Sequence, residues 1–80
     1  MKYAHRATTT EELVEAERLR VILKRARRDK GLKQRDVAEL INVKQVTYSI
    51  IERDFKRASG YRQDQICDIL GLERPKIFKE

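Results

Sequence analysis

Between Lys44 and Arg53 the chain reads KQVTYSIIER. On a helical period Tyr48 and Ile51 fall on one side, and Gln45, Val46, Ser49, Ile50 and Arg53 on the other. That second side joins an amide, a hydroxyl, a guanidinium and two aliphatic groups, where a simply solvated helix would carry Glu and Lys. The set suits base-pair edges in a major groove: a glutamine amide can donate to and accept from adenine at once, and aliphatic groups can meet thymine methyls. The alternative for Val46 and Ile50 is burial by the N-terminal arm or by a partner. Other chemistries have less to work with. His5 is the only histidine, Cys67 has no evident base beside it, and no glycine-rich phosphate loop or metal-ligand cluster occurs. The residues therefore point away from an enzyme, and neither cofactor nor metal is expected.

The totals bound what can position such a face. Eighty residues make one small domain, and a chain of this length buries only roughly 60% of the surface its unfolded form exposes. The 19 Lys and Arg against 13 Asp and Glu leave a net charge of +6, which favours a polyanionic partner through long-range attraction and counterion release. A lone cysteine cannot form an internal disulfide, no apolar run is long enough for a membrane span, and MKYAHRATTT lacks the apolar core of a signal peptide. The expected setting is a reducing cytoplasm.

Residues 1–8 show no periodicity and read as a mobile arm. From Thr9 the pattern changes. Thr9 and Glu12 fit a capping box, Gly31 closes the segment, and Leu13, Ala16, Leu19, Ile22, Leu23 and Ala26 form the inward stripe of a first helix. Its acids (Glu11, Glu12, Glu15, Glu17) precede its cations (Arg18, Arg20, Lys24, Arg25, Arg27, Arg28, Lys30), the order that suits a helix dipole. Val14 and Val21 fall outside the stripe, as isolated exposed side chains or as a dimer contact. A second helix is expected over Gln34 to Leu40 with Val37, Ala38 and Ile41 inward. Lys33 is a poor N-cap, but Asp36 faces the positive helix end. Asn42 stands where a left-handed residue is needed, a conformation asparagine tolerates. The third helix follows, from about Lys44 to Arg53. FKRASGY reads as a turn, and Ile66, Ile69 and Leu70 mark a last short helix closed by Gly71 with Leu72 packed behind it. Cys67 reads as a small packed residue. PKIFK could be an edge strand, a docking tail or a dimer seam.

Residues 19 to 72, in particular LKRARRDKGLKQRDVAELINVKQVTYSIIER and ICDILGL, resemble the helix-turn-helix of the phage Cro and repressor family, the XRE family. The shared elements are Arg27, Gly31 and Leu32, Gln34, Val37 and Ala38, the turn ending in Val43, and Glu52. Asn42 replaces the usual turn glycine, Tyr48 is bulkier than the usual aliphatic residue, and Asp54 stands where glycine commonly follows the glutamate. The resemblance implies an all-α, lambda-repressor-like DNA-binding domain, a compact bundle of about five helices containing the helix-turn-helix. A short C-terminal strand or tail would follow it, and the chain divides into an arm (1–8), this domain (9–72) and a tail (73–80) at a possible dimer interface.

The resemblance also assigns roles. Gln34 would clamp a phosphate beside the N-terminus of the second helix and brace Gln45, which would read a base. Val46, Ser49 and Ile50 would line the rest of the reading surface, and Lys44, Thr47 and Arg53 would hold phosphates or fix register. Arg27 and Glu52 would form an internal ion pair, structural rather than DNA-contacting. One helix presents too few base-reading side chains for strong discrimination, so two copies would read half-sites about 34 Å apart on a near-palindromic operator. The expected activity is that of a transcriptional repressor or controller acting as a homodimer on double-stranded DNA. The rival reading is an antitoxin or other interaction module whose main partner is a protein such as a toxin. No membrane partner is expected.

Overall fold

Three of the helices end in the same way, and those endings set the course of the chain. The computed structural model describes residues 9–78 as α1 (Thr10–Asp29), α2 (Gln34–Leu40), α3 (Gln45–Arg53), a 3-10 turn (Phe55–Arg57), α4 (Gly60–Leu70) and α5 (Arg74–Ile77), with no strand among them. The arm read over residues 1–8 lies outside the described residues, as do 79 and 80. At Gly31, Asn42 and Gly71 the backbone turns left-handed, with φ of 72°, 62° and 72°. The amide of the residue that follows each of these then reaches back to a carbonyl of the helix's last turn. Leu32 donates to Arg27 O at 3.0 Å, Val43 to Ala38 O at 2.9 Å and Leu72 to Cys67 O at 2.8 Å. Leu32, Val43 and Leu72 pack against the core, so each ending is held by an apolar contact as well.

α1 starts where the sequence places it: Thr9 Oγ1 accepts from Glu12 N–H, and a Glu12 carboxylate oxygen accepts from Thr9 N–H, both at 3.0 Å. Its inward stripe is shorter than the period implies. Leu19 and Leu23 are fully buried and Ala16, Ile22 and Ala26 partly so, but Leu13 is 59% exposed. A 20-residue helix is about 30 Å long, whereas helices of seven to eleven residues span about 10–17 Å. The neighbours run out before α1 does. Val14 and Val21 are exposed, as their phase predicts.

The core gathers Leu19, Leu23, Val37, Ala38, Ile41, Tyr48, Phe55, Ile66, Cys67, Leu70 and Ile77. Phe55 belongs to the segment that reads as a plain turn, yet it has no exposed surface. The backbone around it is fixed by Gln63, a buried amide of α4 that donates to the carbonyls of Phe55 and Ala58 at 3.1 and 3.0 Å and accepts from Arg74 Nε at 2.8 Å. After Leu72 the chain forms a helical turn and not a strand, because Pro75 pre-sets φ in its first turn. Ile77 is buried, the Phe78 ring stacks on Phe55 with centroids 5.9 Å apart, and Arg18 Nη2 donates to Ile77 O at 2.7 Å. The apolar side chains of this segment are thus taken up within their own chain. None of the described helices is long and apolar enough to cross a membrane.

Cys67 packs in the core, and burial pushes its thiol up to about 11. A thiol that stays protonated and enclosed at neutral pH should react with an aromatic disulfide reagent only as fast as the protein opens. Labelling of the native protein at the rate of a free thiol would show that this packing is wrong.

Candidate nucleic-acid interface

α2 and α3 pack against one another, and both α1 and the 3-10 turn pack against α3. The start of α2 is secured by Asp36, whose carboxylate accepts from Lys33 N–H at 2.7 Å, the half of a capping box that needs no acceptor on the lysine at the cap position. α3 then buries Tyr48 and Glu52. With that face inward, Lys44, Gln45, Val46, Thr47, Ile50 and Arg53 are exposed and Ser49 is half-buried. Val46 is 62% exposed and Ile50 53%, so no described part of the chain covers either aliphatic group. The Gln45 amide forms no hydrogen bond with any described residue, and neither Lys44 nor Arg53 has a carboxylate partner among them. The face thus presents an amide and two aliphatic groups outward between two cations, with the Ser49 hydroxyl half-buried beside them.

Behind it lies a polar network that ties three helices. Arg27, 8% exposed, donates from Nε to Glu52 Oε2 at 2.9 Å and from Nη1 to Leu32 O at 3.1 Å. Glu52, 3% exposed, also accepts from Gln34 Nε2 at 2.8 Å and from the Tyr48 hydroxyl at 3.0 Å. One carboxylate therefore receives a donor from each of α1, α2 and α3. Burial and the adjacent Glu52 charge hold the Tyr48 hydroxyl well above the usual phenol range, so it remains a donor at any physiological pH. The bulky Tyr48 fits because its hydroxyl end meets the ion pair instead of apolar side chains.

Gln34 departs from the bracing role expected of it. Its amide nitrogen turns inward to Glu52, and no hydrogen bond joins it to Gln45. A primary amide has two N–H groups, so one donor of the half-buried Gln34 remains for an external acceptor. Lys33 and Arg35, exposed on either side of it, are further cations at the same end of α2. Nothing in their type or spacing separates them in the sequence from ordinary solvated charge.

Two short helices joined through a left-handed turn, the second presenting an open polar and aliphatic face, define a helix-turn-helix protein. A family model described as a helix-turn-helix domain matches residues 18–77, and the chain belongs to that family of DNA-binding modules. The match begins inside α1 and ends at the last residue of α5. No curated protein and no solved structure matches the chain.

Proposed function

We propose that the protein is a sequence-specific transcriptional regulator of the Cro and repressor kind, which binds double-stranded DNA as a homodimer with α3 in the major groove. The observation that carries this is the α3 face itself, with Gln45 unpaired and Val46 and Ile50 uncovered. In water that surface has no internal use. Against a duplex, Gln45 pairs bidentately with adenine, Val46 and Ile50 meet thymine methyls, and Ser49 supplies a short hydroxyl. Lys44, Thr47 and Arg53 hold phosphates around them, with the remaining Gln34 donor and the start of α2 on a further phosphate. The net +6 charge speeds encounter and adds salt-sensitive affinity without adding sequence preference.

Selection of bound duplexes from a random pool, with sizing of the protein alone and in complex, tests the reading. A near-palindromic site with half-sites about one helical turn apart is expected. On that site Gln45→Ala should cost about 1–3 kcal/mol while binding to unrelated duplex stays nearly unchanged, and uracil in place of contacted thymines should weaken binding through loss of the methyl groups. Equal losses on both duplexes would remove base reading by Gln45, and an enriched pool without any consensus would remove sequence specificity.

A further inference from the structure

Arg62 occupies a position in α4 that its own helix disfavours. It lies in the first turn of α4, at the positive end of the helix dipole, where a cation is unfavourable. Its backbone N–H is satisfied by Ser59 Oγ at 3.1 Å. The side chain leaves the helix: Nη1 donates to Ile41 O at 2.8 Å and to Gln65 Oε1 at 3.1 Å, and the residue is half-buried. Ile41 is the C-terminal cap of α2 and precedes Asn42, the left-handed residue of the turn into α3. The turn's own amides already serve other carbonyls, Asn42 N–H that of Glu39 at 3.1 Å and Val43 N–H that of Ala38 at 2.9 Å. Arg62 supplies the donor that Ile41 O takes and sets a positive charge at the negative end of α2.

The two halves of α3 are held differently. Its C-terminal half is fixed by Tyr48 and Glu52 through the buried network. Its first turn, which carries Gln45 and Val46, has no side-chain cap, since Lys44 makes none. That first turn depends on the Ile41–Lys44 turn, and an asparagine there meets a conformational cost that glycine would not. We infer that Arg62 is a positioning residue for base reading: it braces the turn and thereby sets where Gln45 and Val46 stand, without touching DNA. The inference rests on the proposed reading of α3 as the base-reading helix.

The test uses the full chain with Arg62→Met and Arg62→Lys, each studied well below its unfolding midpoint. Amide hydrogen exchange at Asn42 and Val43, the two hydrogen-bonded amides of the turn, should accelerate about tenfold or more in Arg62→Met while that of Ile51 to Arg53 stays as in the parent protein. Affinity for the selected duplex should fall about tenfold, the range of one misplaced bidentate contact, with affinity for unrelated duplex unchanged. The slope of log affinity against log salt should stay the same. Arg62→Lys, which keeps the charge and a single donor, should fall between, and it serves alone if the methionine variant does not fold. Unchanged exchange in the turn would overturn the brace. A slope reduced by about 0.9 would make Arg62 a phosphate contact instead, and equal losses on both duplexes would make it a general stabiliser. If the parent protein prefers no duplex, the reading of α3 fails by itself, and the exchange experiment still decides whether Arg62 holds the turn.

Discussion

Replacing Glu52 with alanine is expected to remove about 3–5 kcal/mol of unfolding free energy, because the cation of Arg27 stays buried without its counter-charge. The loss reaches further than one ion pair. Glu52 accepts from Arg27, Gln34 and Tyr48 at 2.9, 2.8 and 3.0 Å, so the substitution strands donors on three helices. Arg27 would keep only its bond to Leu32 O. A small domain has about 5–15 kcal/mol in total, so Glu52→Ala should shift the urea midpoint by a large fraction of its value. Tyr48→Phe, which removes one donor and leaves the charges paired, should cost less, about 1.5–3 kcal/mol, the range for a hydrogen bond to a charged group. The double variant Arg27→Met, Glu52→Leu should be more stable than Glu52→Ala alone, since no charge is then left in the core. A Glu52→Ala protein within 1 kcal/mol of the parent would mean that water reaches Arg27 and that the network is not the clamp described. Because the same carboxylate holds the Gln34 amide inward, surviving variants should also show whether a released Gln34 alters duplex binding.

What could be read from the residues, and what could not, divides along sequence distance. The Thr9 to Glu12 box, the left-handed Asn42 and the inward set Val37, Ala38 and Ile41 depend on contacts within a few positions, and each stands where local chemistry puts it. The open face of α3 was legible for the same reason: once Tyr48 is inward, helical geometry leaves Gln45, Val46 and Ile50 outward. Arg27 and Glu52 were not legible from charge or spacing, since they are 25 positions apart; only the resemblance to Cro and repressor proteins joined them. The inward turn of Gln34 was missed because it depends on that same glutamate, 18 positions away. Leu13 shows the opposite failure. The period places it in the stripe, but a stripe says nothing of how far the neighbouring helices extend. Arg62 has its acceptor on another helix, 21 positions away, so no local pattern marks it.

Phe55 is the largest omission, and its removal is the second large effect expected. The residue sits among Asp54, Lys56 and Arg57, so no apolar period marks it as core. Its burial comes from Phe78, 23 positions on, whose ring lies 5.9 Å away and nearly parallel, at 15°. Phe55→Ala should cost about 3–5 kcal/mol, the range for a fully buried aromatic truncated to alanine. Phe78→Ala should cost less, because that ring is half-buried and sheds less apolar area. Measured together in a double-mutant cycle, the two should show a coupling of about 0.5–1.5 kcal/mol from the ring pair. Absence of coupling would show that the two rings do not support one another and would leave α5 held by Ile77 and Arg74. A loss below 1 kcal/mol for Phe55→Ala would place the 3-10 turn outside the core, and with it the anchor that follows directly on the last turn of α3. Phe55 thus holds the end of α3, as the turn after Ile41 holds its beginning, and the open face between them keeps its shape only while both ends are fixed.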